Sequence, residues 1–125
     1  MKIVAKFKDG KVLKGRSNDF SPDKKIFHLK LISKEEVKIN IDELKAAFFI
    51  KNFKGDKDHQ ARYKDALPWG GNKVKVVFSD GEEIIGYAQH YPQEASGFFM
   101  TPADLKSNNE RIFILVSAVE DITFL

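Results

Sequence analysis

The sequence predicts a mostly β protein: two small five-stranded barrels in tandem, packed together, with one short helix in the segment that joins them. Three observations predict it. The chain of 125 residues repeats itself, apolar and polar residues alternate at the period of a strand, and an Asp-Gly pair stands at the matching place in each half. An offset of 71 puts Phe7 on Phe78, Asp9-Gly10 on Asp80-Gly81, Leu13 on Ile84, Gly15 on Gly86, Phe20 on Tyr91 and Phe27 on Phe98 without a gap. Further on, Val37–Ile41 matches Ile112–Val116 and Leu44–Phe49 matches Val119–Phe124 at an offset of 75, with the four extra residues in the 103–110 loop. The division that follows is 1–51 for the first repeat, 52–72 for the join and 73–125 for the second repeat.

The elements follow in order. Ile3, Ala5 and Phe7 alternate with Lys2, Val4, Lys6 and Lys8, the pattern of a half-buried strand. Asp9-Gly10 supplies the positive-φ chemistry of a tight hairpin, so Lys11–Arg16 returns as the second strand. Ile26–Leu31 and Val37–Ile41 are the third and fourth. Residues 42–50 read in two ways. Glu-Leu-Lys-Ala-Ala is good helix material, whereas a single 3₁₀ turn at Asp42-Glu43-Leu44 before a fifth strand agrees better with the strand-like partner Glu120–Phe124. In the join, Gly55, Pro68 and Gly70-Gly71 mark loops, and Asp58–Ala66 fits two helical turns. Trp69 reads either as an anchor of the join, packed into a seam, or as an exposed contact residue.

Strand phase separates structural from surface positions. Phe7 and Phe78, Leu13 and Ile84, Phe27 and Phe98, Leu29 and Met100 are apolar in both copies and belong to the two interiors. The opposite phase differs between copies: Lys6, Lys14, Arg16 and His28 make a basic face in the first, and Val77, Ile85, Tyr87 and Phe99 an apolar one in the second. Soluble proteins rarely leave so large an apolar patch bare, so the second set is expected to be covered, by the rest of the chain or by a protein partner such as a second copy. A barrel of about 50 residues is marginal alone, which favours such packing. Eleven Phe residues can supply a strong core at roughly 1.5–3 kcal/mol per buried side chain.

The architecture resembles the SH3-like small barrel that Sm-like proteins also use, through the strand, Asp-Gly turn, strand with Gly15 or Gly86 at its bend, short turn and closing strand. The Arg-Gly pair of the Sm uridine site is missing. The whole chain also resembles an uncharacterised bacterial family of duplicated small β-barrels, sometimes found beside PilZ domains. The residues that carry the likeness are Asp19-Phe20-Ser21-Pro22, Phe27-His28-Leu29, Leu44–Phe49, Asp80–Glu82, Gly97–Phe99, Pro102–Asp104 and Asn108–Arg111. The likeness implies no activity, and the Arg-x-x-x-Arg half of a PilZ ligand site is absent.

Charge is distributed unevenly. Residues 1–50 carry 12 Lys and Arg against 7 Asp and Glu, while residues 73–125 carry 4 against 8. A basic front and an acidic back permit head-to-tail attraction, or binding of nucleic acid, a cyclic dinucleotide or another small anion by the front. Nothing points to catalysis. His28, His59 and His90 lack metal-ligand spacing, no phosphate loop or nucleophile elbow is present, and Asp80, Glu82 and Glu83 read as solvated hairpin charges. With no cysteine there is no disulfide or thiolate site, and a cytoplasmic protein is expected. No apolar run approaches the ~20 residues of a membrane span. The reading is a non-catalytic protein-interaction or scaffold module without cofactor, and its alternative is an RNA- or anion-binding module.

Overall fold

A computed structural model of the chain describes residues 1–53, 72–88, 96–103 and 107–125. Ten strands follow in order: β1 Lys2–Phe7, β2 Val12–Arg16, β3 Ile26–Leu31, β4 Glu36–Asn40, β5 Leu44–Ile50, β6 Asn72–Phe78, β7 Glu83–Ala88, β8 Gly97–Pro102, β9 Asn109–Leu115 and β10 Val119–Phe124. A 3₁₀ turn precedes the last strand of each half, at Ile41–Glu43 and Val116–Ala118. Residues 42–50 are therefore turn and strand, not helix. The helix expected over Asp58–Ala66, Trp69, His59 and His90 lie outside the described residues.

All ten strands belong to one antiparallel sheet in the order β10-β6-β7-β8-β9-β5-β1-β2-β3-β4. Where two five-stranded barrels packed together were expected, the strands form one sheet that is not closed and runs on from one half to the other. The reason is that β5 pairs with β9, with Ala46 opposite Ile114, Ala47 opposite Phe113 and Phe48 opposite Ile112. Within each half the order is nevertheless the same, fifth-first-second-third-fourth. The duplication extends to irregularities. Register breaks occur at Lys6/Phe7 against β5 and at Val119/Asp121 against β6, which makes Lys45 and Glu120 extra residues at equivalent positions.

Local chemistry explains the turns. Gly10 and Gly81 have φ of 94° and 92°, which side-chain-bearing residues rarely adopt, and Asp9 and Asp80 each accept a backbone N–H two residues on. Gly15 and Gly86 serve a different need. A Cβ on either would lie 2.4 Å from a carbonyl oxygen, of Lys30 and Thr101 respectively, so only glycine lets the adjacent strands approach there.

Two cores result. Val74, Val76, Phe78, Phe98, Met100, Ile112 and Ile114 fill the second, together with Ala46, Phe48 and Ile50 from the first half. Ile3, Ala5, Phe27, Leu29, Ile39, Ile41, Leu44, Ala47 and Phe49 fill the first, together with Phe113 and Leu115 from the second half. Strand β5, buried at all seven positions, thus sends alternate side chains into different cores, and β9 does the same. Phe99 follows this logic. Its ring lies 5.0 Å from that of Phe113, 6.1 Å from Phe49 and 6.5 Å from Phe20, so the first core covers it within the chain.

Phe99→Ala should lower the free energy of unfolding by about 2–3 kcal/mol in urea melts, below the full-burial range because the ring is only partly enclosed. Its mass in solution should stay that of the parent protein; a change of mass at unaltered stability would show that Phe99 covers a partner instead.

Candidate functional site

The outer face of the first half meets the second half in a cleft of about 420 Å³. Its apolar floor is Val4, Phe48, Ile50 and Ile112, supplied by β1, β5 and β9 because those side chains share one strand phase. Lys6, Val12 and Lys14 form one wall, and Glu82, Glu83, Ile84 and Ile85 the other. Pro102 and Ser107–Asn109 close one end. Lys6 Nζ stands 4.6 Å above the Phe48 ring and 3.6 Å from Glu82 Oε2, so the cleft carries opposite charges across an apolar floor.

Both walls are half-open strands. Strand β2 pairs with β3 only at Gly15 and Arg16, and β7 pairs with β8 only over Gly86–Ala88, with one further bond from the Ala103 N–H to the Ile85 carbonyl at 3.0 Å. Among the described residues, Val12–Lys14 and Glu83–Ile84 therefore have no ladder partner on their outer sides. They are equivalent segments of the two repeats, brought to the two walls of one cleft.

The residues singled out by sequence thus divide. Lys6, Lys14 and Ile85 come together in the cleft, a meeting of the basic and apolar faces that the strand phases do not reveal. Arg16 lies apart, with its guanidinium 5.8 Å from the Phe53 ring centre. His28 sits on exposed β3 with Nδ1 2.7 Å from Asp19 Oδ2. Tyr87 is buried, Val77 is half-buried outside the cleft lining, and Phe99 is in the aromatic cluster.

Asp19 is more elaborately held than its sequence suggests. It accepts the His28 ring at 2.7 Å, the His28 backbone N–H at 2.9 Å and the Ser17 hydroxyl at 3.0 Å. The ring contact first and the backbone N–H second hold its carboxyl down at about 2, against a smaller rise from burial. Ser17 and His28 both bind this carboxylate rather than each other, so the trio ties the loop at Ser17–Asp19 to β3.

The sequence reading missed two further groups. Lys45, 7% exposed, interrupts an otherwise apolar strand, which was the available signal. The bulge turns it onto the second half's hairpin, where Nζ donates to Asp80 Oδ2 at 2.7 Å and to Glu82 Oε1 and lies 4.6 Å from the Phe78 ring. Asp80 and Glu82 keep much of their side chains in solvent and Glu83 is exposed, as expected of hairpin charges, but the first two also form with Lys45 an ion cluster that ties the halves together. Burial pushes the Lys45 ammonium down, but Asp80 and Glu82 outweigh it, so its pKa ends above the ordinary value and that of Asp80 below. Arg111 is the other group: it lies 4.5 Å from the Phe49 ring and 4.8 Å from that of Phe99, bridging the repeats.

Residues 1–125, the entire chain, match the model of a family of unknown function, DUF6982. The chain belongs to that family. Neither a curated protein nor a solved structure matches this DUF6982 member. No helix among its described residues is long and apolar enough to cross a membrane.

Asp19→Asn should lower the melting temperature at neutral pH. Because the folded carboxyl titrates below its unfolded value near 4, its contribution is present above pH 4 and fades towards pH 2. The gap between variant and parent should close over that window, and a constant gap would contradict the assignment. For the ion cluster, Asp80→Asn/Glu82→Gln should melt lower than Lys45→Met. The first leaves a buried ammonium without counter-charge, and the second replaces it by an apolar chain of similar length. The reverse order in thermal melts would deny the burial cost of Lys45.

Proposed function

We propose that this protein is a non-catalytic interaction module of two SH3-like repeats that takes an extended stretch of another protein in the cleft between them. The SH3-like assignment is supported by the strand order fifth-first-second-third-fourth in each half, by the Asp-Gly hairpin and glycine bend, and by the 3₁₀ turn before each closing strand. The observation that carries the binding reading is the pair of half-open strands, Val12–Lys14 and Glu83–Ile84, in the two walls of an apolar-floored cleft. Free strand edges accept an added strand through main-chain hydrogen bonds, while side pockets select alternate side chains. Lys6 and Lys14 on one wall and Glu82 and Glu83 on the other fix the direction of a segment bearing both charges.

Selection of linear 12-residue peptides from a random display library tests the reading. Selected peptides should bind with micromolar affinity and slow amide exchange in Val12–Lys14 and Glu83–Ile85. Lys14→Glu and Ile85→Asp should each weaken them at least tenfold, and Lys24→Glu, away from the cleft lining, should not. Failure to enrich any peptide, or binders indifferent to both cleft variants, would refute it.

A further inference from the structure

We infer that the outer face of β1–β3 holds a second site, built to bind single-stranded nucleic acid through Lys2, Arg16, Lys30 and Phe53. Lys2 is the register partner of Arg16, and Arg16 is that of Lys30, so three cations stand side by side across three strands on one face. With strands roughly 5 Å apart, the row spans about 10 Å. Like charges placed directly opposite across a ladder destabilise a sheet, and a polyanion laid along the row removes that cost. The nearest carboxylate on this face in register is Glu36, opposite Lys30 at the far end of the row.

Beside the row lies a hollow of about 400 Å³ whose lining among the described residues is Gly15, Arg16, Lys30, Leu31, Ile32 and Phe53, none of them a carboxylate. The Phe53 ring receives the Arg16 guanidinium at 5.8 Å and the Lys2 ammonium at 6.0 Å, while Ile32 is 70% exposed. A bare phosphate needs the cations alone. Planar and apolar surfaces set among them suit a base with its phosphates, the combination by which single strands are held without duplex geometry. Among the described residues the site shares no lining residue with the inter-repeat cleft, so it goes beyond the peptide-binding reading and stands or falls separately.

Fluorescence anisotropy with a labelled 12-nucleotide oligouridylate tests it. Binding should be measurable at 50 mM salt and weaken with salt at a log–log slope near −2, which is about 0.7 for each of three cations. Arg16→Glu and Lys30→Glu should each lower affinity at least tenfold. Phe53→Ala should lower it at least fivefold with the slope unchanged, and Lys11→Glu, on the β1–β2 hairpin, should have no effect. Both glutamate variants alter exposed side chains, so their folding, checked by melting temperature, should match the parent. Absence of binding at 50 mM salt overturns the proposal. So does an equal loss with Lys11→Glu, which means diffuse attraction. Full competition by inorganic polyphosphate together with an unaffected Phe53→Ala overturns it as well, because the face is then an anion patch that ignores bases.

Discussion

The pairing of β5 with β9 is the constraint on which the rest depends. Each of these strands is the last or next-to-last of its own repeat, and where Ala46–Phe48 meet Ile112–Ile114 each is apolar on both faces. Because side chains alternate across a strand, one face of the pair must enter the first core and the other the second. Phe113 and Leu115 complete the first core from the second half, and Ala46, Phe48 and Ile50 complete the second core from the first half. Neither half closes its own interior. Lys45, at the bulge in β5, and Arg111, between Phe49 and Phe99, add polar ties across the same junction.

That junction also explains why two copies of one pattern wear different surfaces. The third strand of the second repeat, β8, lies next to β9, which in turn pairs with β5, so its outward Phe99 faces the aromatic rings of the first core. The third strand of the first repeat, β3, lies next to the terminal strand β4, and its outward His28 and Lys30 face water. Position in the sheet, not the ancestral pattern, decides which coat is apolar. The two ends of the sheet follow the same rule. At the repeat offset, Lys38 and Asn40 of β4 replace Phe113 and Leu115, and Asp121 and Thr123 of β10 replace Ala46 and Phe48. The strands that pair internally are apolar on both faces, whereas their terminal counterparts carry charge and polarity that discourage further pairing.

Much of this was legible in the residues. Alternation, the two Asp-Gly pairs and the spacing of Phe, Gly and Phe define the strands, the hairpins and eight interior positions, of which Phe27, Leu29, Phe78, Phe98 and Met100 are buried and Phe7, Leu13 and Ile84 pack half-buried at the core margins. The β5–β9 pairing was not legible, because a strand buried on both faces loses its alternation: Leu44–Ile50 is apolar but for Lys45, and its Glu-Leu-Lys-Ala-Ala start equally suits a helix. Tertiary context decides it, since β1 and β9 flank the segment and both offer it a ladder. The cleft was legible only in parts. Lys6, Lys14 and Ile85 stood out, but on surfaces assigned to different repeats, and only the turn of the sheet sets them opposite each other. Phe53 left no signal, since a lone aromatic at the edge of the join has no period to join.

A cleft between the repeats requires the first repeat's outer face to be held rigidly against the second, and the shared strands supply that rigidity. Native-state hydrogen exchange measures it most directly. Amides of Ala46–Phe49 and Ile112–Ile114 should be among the slowest, and protected amides of β3 and β8 should open at one common free energy equal to that of global unfolding. If β1–β4 lost protection as a unit while β6–β9 kept theirs, the two cores would be independent and the shared-strand junction would not be what holds the protein together.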